Sequence, residues 1–204
     1  VRDSEGMKSL KPGGKVWCAF GDMAMPYAID EDHSMYPGLD EMLAKGIELL
    51  DNPNGFFIMC EGGLIDYCSH ANHAAAAIQE TVVLDNAVRV ALKFQEKHPD
   101  DTLIIVTGDH ETGGMAMGYV GAGGRFNVKL LKDQKIAVGT FSEMVKKMIA
   151  AKKLEITFEE VEPLVVEKFG LKKLNDKERS ALKEAFNADI DMVKRNIKDT
   201  KAHN

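Results

Sequence analysis

The chain has 204 residues, 45% hydrophobic and 28% charged, a composition that excludes disordered, fibrous and disulfide-scaffold classes and leaves a folded globular protein. No apolar run reaches about 18 residues, which excludes a helical membrane span. The net charge of −6 is unevenly shared: residues 1–128 hold 9 Lys and Arg against 19 Asp and Glu, and residues 129–204 hold 17 against 13. The acidic first part repels a nucleic-acid backbone unless cations sit in it first, which favours a metal site there.

In chain order, Lys11-Pro12-Gly13-Gly14 is a turn, and Lys15–Phe20 reads as a first strand. A loop over 21–36 carries Asp30-Glu31-Asp32-His33, which reads as a solvated acidic turn because consecutive side chains diverge. Pro37 can open a helix whose apolar stripe is Leu39, Met42, Leu43, Ile47 and Leu50. Phe56–Cys60 is a second strand-length apolar run. A long helix is predicted from about His70 to Lys97, apolar on most sides as if packed on a sheet. Thr102–Thr107, rich in β-branched residues, reads as a further strand. Beyond about Arg125 the chain turns Lys/Glu-rich. Thr140-x-x-Glu143, Thr157-x-x-Glu160 and Asn175-x-x-Glu178 each have the spacing of a helix start. Cys18, Cys60 and Cys68 lack zinc-type spacing and read as inert small residues.

The chemistry concentrates in two packets. Glu61 through His70 follows the Phe56–Cys60 run, and Thr107-Gly108-Asp109-His110 closes the Thr102–Thr107 run. A strand, helix and strand in that order form a right-handed crossover, and open α/β sheets gather ligands at the carboxyl ends of their strands. The expectation is therefore that Glu61, Asp66, His70, Asp109 and His110 meet at one sheet edge. Asp66 and His70, four apart, share a helix face and can grip one zinc ion. Asp109 and His110 are adjacent and converge only if the backbone bends at Gly108. Two metals about 3.5–4 Å apart can clamp the attacking and leaving oxygens of a phosphoryl group, and Glu61 is a hard oxygen ligand suited to magnesium.

Glu61-Gly-Gly-Leu-Ile-Asp66-Tyr-Cys-Ser-His70, then Glu80-Thr-Val-Val-Leu-Asp85-Asn-Ala-Val88, then Thr107-Gly-Asp109-His110, resembles the carboxyl-terminal half of the alkaline phosphatase family over about residues 37–118. Leu64 stands where many members have Arg, and Gly108 where many have Ala. The resemblance implies an α/β fold, with part of the parallel-sheet core over residues 1–124 and an appended helical insertion module over 125–204. It implies a first zinc on Asp66 and His70, a second zinc on Asp109 and His110, and magnesium on Glu61. It also implies a phosphomonoester hydrolase with a phosphoserine intermediate, acting on phosphate monoesters, periplasmic or secreted, and dimeric. His73, one turn beyond His70, is not required as a ligand. No residue of this chain matches the family's nucleophilic serine, which belongs upstream of Val1, so no catalytic residue is assigned and the chain alone is expected to be inactive.

Two other readings compete with this one. A phosphodiesterase or phosphonate monoester hydrolase of the same superfamily differs in the groups around the phosphate. A non-catalytic metal-binding or interaction module would use the basic region 129–204, but its Lys152-Lys153 and Lys172-Lys173 pairs lack the aromatic interleaving of a nucleic-acid surface.

Overall fold

The structure is a computed structural model that describes residues 1–30, 36–116, 123, 128–152 and 154–202. It falls into two compact units, Val1–Phe126 and Asn127–Asn204.

The first unit is built on α2 (Leu39–Leu50), α3 (Gly63–His70) and α4 (Ala74–Gln95), preceded by the short α1 (Ser4–Ser9). Asp3 caps α1, its carboxylate accepting from the Gly6 amide at 2.6 Å. At the start of α2 the Glu41 carboxylate accepts from the Gly38 amide at 3.1 Å. Pro37 lies just outside this cap and is buried, so it precedes the helix it was expected to open. Both α2 and α3 pack on α4, which buries Ala75, Ala76, Ala77 and Ala87. Methyl-sized side chains let the neighbouring backbones come close without leaving voids.

The helix expected over about 70–97 is α4 (Ala74–Gln95), and Asp66 and His70 lie on a separate helix, α3, that stops before it. Asn72 adopts φ 51°, the His73 amide donates to the Cys68 carbonyl at 2.8 Å, and the Asn72 amide donates to the Ser69 carbonyl at 3.0 Å. This is a Schellman stop with asparagine in the left-handed position, where its short polar side chain is tolerated. Propensity over the Ala-rich run did not reveal the break because a single residue carries it.

The sheet expected from Lys15–Phe20, Phe56–Cys60 and Thr102–Thr107 is not present: none of the described residues belongs to a strand. Backbone groups of Phe56–Cys60 and Thr102–Thr107 make no hydrogen bond to another described segment. Near the chain start, Val1 brackets one turn of contact, its amino group donating to the Trp17 carbonyl at 2.7 Å and its carbonyl accepting from Ala19 at 2.9 Å. The two-residue period of a half-covered strand nevertheless holds over Phe56–Cys60 and over 102–105, beyond which Val106 is exposed. Phe56, Ile58 and Cys60 are half-buried while Phe57 and Met59 are 86% and 79% exposed. Thr102 and Ile104 are half-buried while Leu103 and Ile105 face solvent. Phe56 meets Phe94 of α4 edge-on at 5.5 Å. A strand needs a partner to complete its hydrogen-bond ladder, and hydrophobicity along one run specifies a buried face without specifying that partner.

The second unit holds a 3-10 turn (Val128–Asp133), α5 (Val138–Ala151), α6 (Phe158–Phe169) and α7 (Asp176–Ala202). Val145, Ile149, Ile156, Phe158, Val161, Phe186 and Val193 form its core, each large side chain contributing about 1.5–3 kcal/mol by leaving water. Thr157 and Glu160 make the capping pair that starts α6, with the Glu160 carboxylate accepting from the Thr157 amide at 2.8 Å. Asn175 and Glu178 bond reciprocally at the start of α7, at 3.0 and 2.8 Å. The third expected start is displaced: α5 begins at Val138 after Ala137, so Thr140 lies inside its first turn. Among the described residues no helix is long and apolar enough to cross a membrane.

Candidate metal centre

Asp66 lies in the first turn of α3 and His70 at its last residue. One helical turn therefore stacks them, and His70 Nε2 stands 3.5 Å from Asp66 Oδ1. Their side chains are 36% and 68% exposed, open to an ion from solvent. The buried Cys68 between them faces inward.

Asp109 and His110 follow the Thr102–Thr107 run, with His110 Nε2 3.6 Å from Asp109 Oδ2. His110 Nδ1 lies 3.0 Å from the Glu111 carbonyl. That contact, with the neighbouring Asp109 carboxylate and a smaller contribution from Asp66, holds the imidazole above its ordinary pKa. A metal must displace the proton that these groups favour.

The loop after His110 joins the two packets. Thr112 Oγ1 donates to Asp66 Oδ1 at 3.0 Å across 46 residues of sequence. Gly113 passes so close to α3 that a Cβ there would collide with the Ser69 carbonyl oxygen. The turn is closed by the Gly114 amide, which donates to Glu111 Oε1 at 2.6 Å, and Gly114 itself has φ 66°. Glu111, Thr112, Gly113 and Gly114 were not among the site residues expected from the sequence. The available signal was the adjacency of a hydroxyl and a glycine pair to a ligand packet.

Glu61 stands apart. Its carboxylate lies over Gly63, where an added Cβ would sit 3.2 Å from Glu61 Oε1, and the residue is exposed. Among the described residues no three His, Cys, Asp or Glu side chains converge closely enough to hold one ion. The five expected ligands are thus arranged as two linked pairs and one separate carboxylate. Of the acidic turn, Glu31, Asp32 and His33 lie outside the described residues, while Asp30 is buried at 7% exposure and so is not solvated as expected. His73 is also buried, with its ring edge-on to Tyr27 at 6.2 Å.

The donor chemistry suits zinc. Ligands at about 2.0–2.2 Å from a tetrahedral ion are separated from each other by about 3.4 Å. The Asp66–His70 and Asp109–His110 separations of 3.5 and 3.6 Å fall close to that edge length.

This chain thus sets paired carboxylate and imidazole side chains on a short helix and on the loop bonded to it. It belongs to the alkaline phosphatase family, whose model, described as "Alkaline phosphatase", matches residues 5–195. Alkaline phosphatase 3 of Bacillus subtilis is 33% identical over 153 residues, covering 70% of this chain and 33% of that protein. Repressible alkaline phosphatase of Saccharomyces cerevisiae is 36% identical over 103 residues, 47% of this chain and 18% of its own length. A crystal structure of a cold-active alkaline phosphatase from the psychrophile Shewanella sp. superposes with a TM-score of 0.77 at 27% identity, covering 98% of this chain and 48% of that one. The chain therefore spans about a third or less of these curated relatives and about half of the solved one.

Proposed function

We propose that this chain is the ligand-bearing part of a phosphomonoester hydrolase, in which Asp66 and His70 would hold one zinc ion, Asp109 and His110 a second, and Glu61 magnesium. The reading is carried by one observation: two Asp–His pairs, each spaced like neighbouring ligands on a tetrahedral ion, are tied together through Thr112. The family and the relatives named above support the phosphatase activity. Bound zinc would supply Lewis acidity toward a phosphoryl oxygen.

What this chain's own residues do is limited to holding those ions and accepting or releasing the protons they displace. Ser69, adjacent to His70, donates to the Ile65 carbonyl at 2.7 Å, so it is engaged in its helix rather than placed as a nucleophile. The chain by itself is accordingly expected to release no p-nitrophenol from p-nitrophenyl phosphate, with zinc and magnesium present. Secretion or periplasmic residence and homodimer formation extend the same family reading, and sedimentation of the metal-loaded chain tests the dimer.

Calorimetric titration of the metal-stripped chain with Zn²⁺, beside the double variant Asp66→Ala and Asp109→Ala, tests the ligand assignment. Zinc uptake by the parent chain that disappears in the variant is expected. Equal uptake by both would place zinc elsewhere and defeat the assignment.

A further inference from the structure

Thr112 is half-buried, and its hydroxyl is the type of group that ordinarily bonds within its own turn. Here it reaches Asp66 on α3 instead, at 3.0 Å. Both contacts described for the Asp66 carboxylate, from Thr112 and from His70, fall on Oδ1, and Oδ2 has no protein donor among the described residues. The loop cannot simply drift off α3, because it is seated there by Gly113, whose missing side chain is what admits the Ser69 carbonyl. The turn that presents Thr112 is in turn closed by Glu111 and Gly114.

We propose that Thr112 is a positioning residue for Asp66: its hydroxyl pins one carboxylate oxygen before the metal arrives and links the Asp66–His70 pair to the loop that carries Asp109 and His110. This rests on the zinc reading above and extends it to a residue that is not itself a ligand. A free carboxylate must surrender its side-chain rotation when it binds an ion, and a hydrogen bond already made meets that cost in advance. The same hydrogen bond fixes the orientation of the carboxylate whose Oδ1 faces His70, as outer partners of metal ligands commonly do. Because the bond joins α3 to the second loop, its loss should weaken zinc binding without unfolding either element.

The test compares the full chain with Thr112→Val, which keeps the shape and removes the hydroxyl, and Thr112→Ser, which keeps the hydroxyl. Zn²⁺ affinity is read by calorimetry, and the visible spectrum of the Co²⁺-loaded chain reports the ligand geometry. Circular dichroism and thermal unfolding establish that each variant is folded. The expected result is an affinity loss of about tenfold or more in Thr112→Val, with an altered cobalt spectrum and an unchanged melting temperature, and near-parent values in Thr112→Ser. Parent-like affinity and spectrum in Thr112→Val would overturn the proposal, and so would equal losses in both variants. Failure of the parent chain itself to bind zinc would reject the metal reading, and the role of Thr112 would go with it.

Discussion

Gly113 and Ser69 lie in van der Waals conflict for any residue larger than glycine: a Cβ at 113 would overlap the Ser69 carbonyl oxygen and sit 3.0 Å from its carbon. The obstacle is helix backbone, which cannot rotate aside as a flexible side chain can. Gly113→Ala is expected to cost about 1–3 kcal/mol by overpacking. Hydrogen exchange followed by mass spectrometry should locate the loosening at residues 63–76 and 109–114. Unchanged protection in both segments would show that the loop is not seated on α3.

Asn72 carries the break between α3 and α4 in a left-handed conformation. Glycine reaches this conformation without a Cβ penalty, and a β-branched residue does not. Asn72→Gly should leave stability unchanged or raise it by up to about 1 kcal/mol, while Asn72→Val should lower it by roughly 1–2 kcal/mol. Urea unfolding followed at 222 nm distinguishes them. Equal stability of the two variants would mean that the break does not depend on residue 72.

Burial holds the His73 imidazole below its ordinary pKa, with the Asp30 carboxylate opposing that shift and the Tyr27 ring packed edge-on against it. The unfolded chain then binds more protons at this site than the folded one between the lowered value and about 6.5. Stability therefore rises with pH through that window and is lost as pH falls through it. Unfolding free energies measured from pH 5 to 8 should show this slope, and His73→Asn should flatten it. The same slope in the variant would assign it to another group.

Cys68 is fully buried, and burial, with help from Glu80 and Asp30, pushes its thiol up to about 12. The thiolate is the reactive form, so Cys68 should resist a thiol reagent in the native chain. Cys18 and Cys60 are half-buried, although burial also raises the Cys60 thiol. Titration with Ellman's reagent should count two thiols under native conditions, Cys60 more slowly, and a third only in denaturant. Immediate reaction of all three would show that the Cys68 side of α3 is open.

The ligand packets were legible because their residue types and spacing are local. Asp66 and His70 face one way whenever a helix includes both, and Asp109 with His110 needs only a bend. The capping pairs at Thr157 and Asn175 were legible for the same reason, since a cap is satisfied within four residues. Thr140 failed as a helix start because threonine also fits inside a first turn, and α5 begins two residues earlier, at Val138.

By itself the sequence determined the family, the two Asp–His pairs and the apolar runs Phe56–Cys60 and Thr102–Thr107. Tertiary structure alone decided that these runs have no ladder partner among the described residues. It also decided that Thr112, rather than a sheet edge, joins the pairs. The division has a physical cause. Side-chain identity and spacing act within a helical turn, whereas strand pairing and a hydrogen bond across 46 residues depend on where distant backbone comes to rest.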